Sequence, residues 1–201
     1  MRLRDHERTT AMVDFENDIK NCLRVVQAGG TILYPTDTVW GLGCDALNEA
    51  AVDKVFAIKQ RPKEKSLIVL LAEAKDILQY VAAPHPDIIA IVEEFDRPTT
   101  VIYENALGFP HNVVNADGSI AIRVTNDPFC KALIKRLRVP LVSTSANISG
   151  QPTAPTYRSV DESVKTGVDY VVHYRREDEA PKQPSRLVRI DDMGEMEILR
   201  G

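Results

Sequence analysis

The stretch 29–71 constrains the rest of the chain most. Thr31-Ile32-Leu33-Tyr34 is a short apolar run that reads as a buried strand. It breaks into Pro35-Thr36-Asp37-Thr38-Val39-Trp40 and then Gly41-Leu42-Gly43. A rigid strand that delivers hydroxyls into a glycine-permitted bend is a common way to build a site. Asn48 then stands as an N-cap, with Ala51, Val52, Val55, Phe56 and Ile58 on a helical period. Pro62 stops that helix soon after Lys59. Lys59 and Arg61 therefore sit at a helix end, ahead of an apolar strand over 67–71. Two cations at such a boundary suit a phosphate or carboxylate ligand. They can equally cap helix carbonyls and complement the dipole.

At 201 residues the chain has room for one domain with a sizeable core, and no repeat is visible. A hydrophobic share of 44% with 27% charged residues is that of a soluble globular protein. The net charge of −4 argues against wholesale coating of nucleic acid, though not against a local basic surface. Cys22, Cys44 and Cys130 show neither metal spacing nor a disulfide framework, which predicts buried reduced thiols and a cytoplasmic location. No apolar stretch reaches membrane-spanning length, and 1–10 is charged without a signal-like apolar core. The expected organisation is a flexible arm over 1–13 and a single catalytic domain over 14–201.

The pattern predicts a helix from an N-cap at Asp14 to Ala28, with Phe15, Ile19, Leu23 and Val26 inward. Short helices are predicted over 73–80, from Pro86 to Glu94, from Asp127-Pro128 to about Leu137, and over 160–165. Strands are predicted over 99–103, 120–124, 141–143, 170–173, 187–190 and 196–199. The segment 175–184 is charged and Pro-containing, so it reads as a mobile loop. Strands and helices alternate only partly. The fold class expected is α/β, a twisted open mixed sheet with flanking helices.

No phosphate-loop pattern and no Gly-x-Ser-x-Gly elbow is present, and Gly41-Leu42-Gly43 is too little for a dinucleotide fingerprint. A nucleotide would have to be held by side chains, for which Lys59, Arg61, Lys65, Ser145, Asn147 and Arg200 are candidates. His6, His85, His111 and His173 are scattered, which predicts surface or capping roles. Trp40, the sole tryptophan, can serve either core packing or a pocket wall.

A third phrase, Ser143-Thr144-Ser145-Ala146-Asn147-Ile148-Ser149-Gly150, follows an apolar strand. Pro-Thr-Asp-Thr-Val-Trp-Gly-Leu, then Lys-x-Arg-Pro, then Ser-Ala-Asn-x-Ser-Gly together resemble the YrdC-like family, over about 29–200. The resemblance implies a large concave site and L-threonylcarbamoyladenylate synthesis from L-threonine, bicarbonate and ATP, with release of pyrophosphate. It implies Thr38, Arg123, Ser143 and Ser185 as threonine ligands. It implies Arg61, Lys65, Ser119, Ser145, Thr153 and Arg200 as ATP ligands, with Asn147 beside them and Lys59 and Arg61 as catalytic cations. ATP would be substrate, Mg²⁺ would travel with it, and no metal site of the protein's own is expected. The product would serve modification of tRNA at N6 of adenosine 37, through tRNA-modifying partner proteins. Contact with tRNA or double-stranded RNA belongs to the same expectation, and a membrane does not.

The chain departs from the family pattern at Asp96-Arg97-Pro98, at Ser66, at Leu70 where some members carry His, and at Pro184-Ser185-Arg186. Its length resembles the family's short form. An RNA-binding or ribosome-associated module of the same fold, without turnover, is the alternative. A carbamoyl-transfer domain that lost threonine is a third possibility.

Overall fold

Strand residues sort their side chains onto two faces. In β3 (Ile68–Leu71) Leu70 joins one apolar layer while Val69 and Leu71 join the other, and Leu141 and Val142 of β6 (Leu141–Ser145) divide the same way. The other strands are β1 (Ile32–Tyr34), β2 (Gly41–Gly43), β4 (Thr99–Tyr103), β5 (Ile120–Val124), β7 (Tyr170–Val171), β8 (Arg186–Ile190) and β9 (Met196–Arg200). A computed structural model describes residues 15–60, 62 and 67–201. Among the described residues the strands form one nine-stranded sheet in the order β7-β1-β2-β6-β3-β5-β4-β8-β9. Pairs β1–β7, β3–β5 and β4–β8 run parallel and the other neighbours antiparallel, so the sheet is mixed, as the sequence pattern predicts.

Helices α1 (Glu16–Gln27) and α5 (Pro128–Leu137) cover one face over β1, β3 and β6. Phe15, Phe129 and Tyr174 lock that layer, with ring centroids 5.5 Å (Phe15–Phe129) and 5.1 Å (Phe15–Tyr174) apart, edge to face. The opposite face is covered by α2 (Glu49–Lys59), a 3₁₀ turn (Ala74–Asp76), α3 (Ile77–Tyr80) and α4 (Ile88–Glu93). A further helix, α6 (Glu162–Gly167), follows the third sequence phrase. Among the described residues, the apolar layer under α1 and α5 includes no residue of β4, β5 or β8.

Local signals explain the element ends. Asn48 Oδ1 accepts from the Ala51 amide at 3.1 Å, and Asp127 Oδ1 accepts from the Cys130 amide at 3.0 Å ahead of Pro128. Helix α2 closes on Gln60 in the left-handed region (φ 49°), before Pro62. Several boundaries differ from expectation. The strand expected to stop at residue 143 continues to Ser145, because Thr144 and Ser145 pair with Leu42 and Gly41. The segment 73–80 is split, since Glu73 and Asp76 cap a 3₁₀ turn before α3 begins. Pro86 lies in a turn held by the Asp87 amide on His85 Nδ1 (3.1 Å), so α4 starts at Ile88. On α1 the inward positions include Cys22 and Asp18, while Leu23 is half-buried; Asp14 and the expected arm over 1–13 lie outside the described residues.

Asp18 is the unexpected member of the core face. Its carboxylate accepts from Tyr170 Oη at 2.6 Å, the His173 amide at 3.0 Å and the Tyr174 amide at 2.9 Å, fixing the chain beyond β7. Burial acts to raise its pKa, but the hydrogen bonds from His173, Tyr170 and Tyr174 outweigh it and hold the carboxyl below its ordinary value.

Candidate active site

The sheet carries a cross-strand row. Ser143 of β6 is the register partner of Ile68 in β3, Ile68 of Ala121 in β5, and Ala121 of Ile102 in β4. Directly paired residues share a face. These four form the floor of a cleft of about 280 Å³, whose walls include Thr38, Trp40, Gly41, Asn115, Arg123, Ser145, Thr153, Ser185 and Arg200. Among the sequence-derived candidates, Thr38, Arg123, Ser143, Ser145, Thr153, Ser185 and Arg200 thus border one cavity.

The bend after β1 is organised by Thr36. Its Oγ1 donates to the Val39 carbonyl (2.8 Å) and accepts from the Thr38 amide (2.9 Å). Thr36 has spent its hydroxyl proton, so at 3.0 Å the Thr38 hydroxyl must be the donor to Thr36 Oγ1. Thr38 therefore presents lone pairs to the cleft. Beneath the bend the Tyr34 ring lies across β2, with its Oη donating to the Val142 carbonyl at 2.9 Å. A Cβ on Gly43 would sit 2.1 Å from the Val142 oxygen and 2.8 Å from Tyr34 Cε1, so the strand accepts only glycine there. Trp40 is both buried and part of the cleft wall, its ring 4.9 Å from that of Tyr157.

Arg123 is the buried cation of the cleft wall, with only 3% of its surface exposed, and Arg200 is the other charged residue there among the described residues. Its Nη2 lies 3.3 Å from Asp37 Oδ1, while its Nε is buried with no hydrogen-bond partner among the described residues. A buried donor without a partner is expensive. On the far wall Ser185 Oγ shares a hydrogen bond with Thr100 Oγ1 at 2.7 Å, and Arg200 Nη2 donates to the Ser185 carbonyl at 2.9 Å. Leu70, fully buried beside Arg123 in the sheet register, belongs to the apolar core.

The remaining candidates stand behind the wall. Lys59, 1% exposed, donates its ammonium to the carbonyls of Ser145 and, at 2.8 Å, of Asn147. Asn147 Nδ2 holds the Ile148 and Gln151 carbonyls at 3.0 and 2.9 Å. Ser119 Oγ donates to Asp117 (2.6 Å) and accepts from Asn115 Nδ2 (2.9 Å), so it supports a wall residue. Arg61 and Lys65 lie outside the described residues. Sequence reasoning gives no ligand-site role to Asp37 or Asn115 and reads Asp127 only as a helix start; an acidic residue set between two threonines is the available signal for Asp37.

The loop after β7 starts from a fixed point. Arg175 pairs with Asp127 Oδ2 (2.5 Å) and donates to the Thr36 carbonyl (3.2 Å), and Arg176 donates to the carbonyls of Val172 and Val171 (2.8 and 2.6 Å). Among the described residues no three His, Cys, Asp or Glu side chains converge as a metal site, and no helix is long and apolar enough to cross a membrane.

The sequence profile of the Sua5/YciO/YrdC family, described as telomere recombination, matches residues 24–201. The chain belongs to that family. Relatives of this Sua5/YciO/YrdC chain include a threonylcarbamoyl-AMP synthase of Pseudomonas aeruginosa, 38% identical over 151 residues, covering 74% of this chain and 80% of the relative. Another, from Xanthomonas campestris, is 35% identical over 159 residues, covering 77% and 84%. P. abyssi Sua5 complexed with L-threonine superposes with a TM-score of 0.75 at 23% identity, over 85% of this chain and 50% of that one. This chain therefore spans about half the length of that archaeal protein. Escherichia coli YciO superposes with a TM-score of 0.77 at 21% identity, over 92% and 88% of the two chains. At these identities the two structures speak for the Sua5/YciO/YrdC fold alone.

Proposed function

We propose that this chain is a nucleotidyltransferase, an L-threonylcarbamoyladenylate synthase. The observation that carries the reading is the buried guanidinium side chain of Arg123 in the wall of a hydroxyl-rich cleft. The curated relatives named threonylcarbamoyl-AMP synthase support it. A free amino acid brings a carboxylate, an amine and a side chain. Arg123 would meet the carboxylate, the lone pairs of Thr38 would meet the amine, and Ser143 and Ser185 would border the side chain.

The ammonium of threonine would first lose a proton to solvent, and the resulting amine would take up bicarbonate with loss of water to give the carbamate. A carbamate oxygen would then attack the α-phosphorus of ATP, the bond to the bridging oxygen would break, and pyrophosphate would leave. Negative charge builds between the two anions in that step, and fixed cations lower the barrier. Arg61, Lys65 and Arg200 would serve there, with Ser145, Thr153 and Ser119 on the nucleotide side. Lys59 would act by holding the Ser145 and Asn147 backbone in place. Mg²⁺ would arrive bound to the triphosphate and neutralise part of its charge, which fits a cleft whose charged walls are Arg123 and Arg200.

The product would pass to tRNA-modifying partners for N6-threonylcarbamoyladenosine at position 37, with the protein working in the cytoplasm and direct RNA contact at its surface. Incubation with ATP, bicarbonate and each amino acid in turn, following pyrophosphate, tests the reading. Release that depends on both threonine and bicarbonate is expected. Release indifferent to threonine, or none, removes it and leaves the RNA-binding module.

A further inference from the structure

The turn that carries Thr38 also carries Asp37, and its carboxylate has two distinct ends. Oδ2 accepts from Thr125 Oγ1 at 3.2 Å and from the Asn126 amide at 3.4 Å. Both donors lie just beyond β5, two and three residues after Arg123. Oδ1 lies 3.3 Å from Arg123 Nη2, in the buried surround of the guanidinium, and has no hydrogen bond of good geometry. The carboxylate is thus fixed by one oxygen and opposes the guanidinium with the other. Thr125 Oγ1 in turn accepts from the Asp127 amide at 3.1 Å, so its hydroxyl proton is free for Asp37.

We infer that Asp37 is the positioning residue for Arg123: it draws one guanidinium terminus to the turn and so holds the guanidinium in the cleft wall that would meet the substrate carboxylate. The inference rests on the threonine-binding reading of the cleft. A planar guanidinium has its five donors in fixed directions, so an ion pair that restrains one end restrains the whole group. The same carboxylate offsets the desolvated charge of Arg123 before ligand arrives, which a buried cation needs. Because Asp37 and Thr38 are adjacent, one turn would set both the carboxylate and the amine contacts of the amino acid. Asp37 would thereby govern affinity for the amino acid and leave the nucleotide side alone.

Asp37→Asn tests this. The amide oxygen can keep Thr125 and Asn126, while its NH₂ group would then face Arg123, donor against donor. Threonine binding by calorimetry is expected to weaken about 30-fold or more. ATP binding should change less than about twofold, and KM for threonine should rise far more than kcat falls. Asp37→Glu should restore part of the threonine affinity. Equal threonine affinity in the Asn variant overturns the inference. So does a parallel loss of threonine and ATP binding with a lowered melting temperature, which would make Asp37 a structural residue only. If the unaltered protein binds no threonine, the functional reading fails separately, and crystal structures of the two forms decide. A displaced Arg123 guanidinium in the Asn variant supports the positioning role, and an unmoved one overturns it.

Discussion

Lys59 Nζ reaches from the last turn of α2 to the carbonyl oxygen of Asn147, 2.8 Å away, in the phrase that follows β6. The ammonium is buried and also holds the Ser145 carbonyl. Lys59→Met would leave both carbonyls without this donor, at a cost of about 3 kcal/mol. A lowered melting temperature together with lost pyrophosphate release is the expected result. Lost release at an unchanged melting temperature would instead place Lys59 on the nucleotide.

Gly43→Ala should be among the most damaging small substitutions in the chain. The new methyl would press on the Val142 carbonyl, which is backbone, and on the Tyr34 ring, which is fully buried. Overpacking of this kind costs about 3 kcal/mol. Chemical denaturation of Gly43→Ala beside Gly108→Ala, where nothing lies within 4 Å but φ is +76°, separates steric crowding from backbone strain. Gly43 should lose clearly more.

Arg123→Lys keeps a charge but loses the fork. A lysine ammonium cannot face Asp37 and a substrate carboxylate in two fixed directions. KM for threonine should rise about 100-fold, with KM for ATP little changed. Steady-state kinetics against each substrate measures both, and an unchanged threonine KM would contradict the proposed contact.

Asp18 makes stability sensitive to acid. Its folded pKa lies below the ordinary 3.8, so its contribution is fully present above that value and is lost as pH falls through the folded pKa. Asp18→Asn should lower the denaturation midpoint at neutral pH and flatten its decline below pH 3.8. Glu73 is the control. Lys135 and Lys75 hold its carboxyl down to about 2, yet the trio sits on the surface, and Glu73→Gln should change little.

The loop over 177–184 should respond to ligand, whereas its start should not. Arg175 and Arg176 are anchored, while Pro184 and Ser185 reach the cleft wall. Hydrogen exchange with ATP plus threonine should slow over 177–184 more than over α1. Exchange unaffected by ligand would make this loop a passive connection.

The sequence is most legible where chemistry is local. Asn48, Asp127 and Pro128 announce their helices because a cap needs only its own next three residues. The β-branched run of β4 and the apolar run of β3 read as strands for the same reason. Thr144 and Ser145 do not, since their strand character comes from pairing with β2, about a hundred residues earlier. Likewise the hydroxyls of the bend pointed to a site, but the part of Asp37 depends on β5 and that of Asp18 on β7. Long-range partners leave no periodic trace. Arg175 reads as part of a mobile segment because a charged run looks solvated, but its ion pair with Asp127 anchors it.

The floor of the cleft takes Ile68, Ile102, Ala121 and Ser143 from four strands, and Ser185 and Arg200 complete its rim. A fragment that stops short of Ser185 has the floor but not the complete rim. During synthesis, the chain must emerge as far as Arg200 before the rim of the cavity is complete. Substrates therefore cannot act as a scaffold for the growing chain, and ligand-dependent protection should appear only late in refolding, after the β4–β8 pairing.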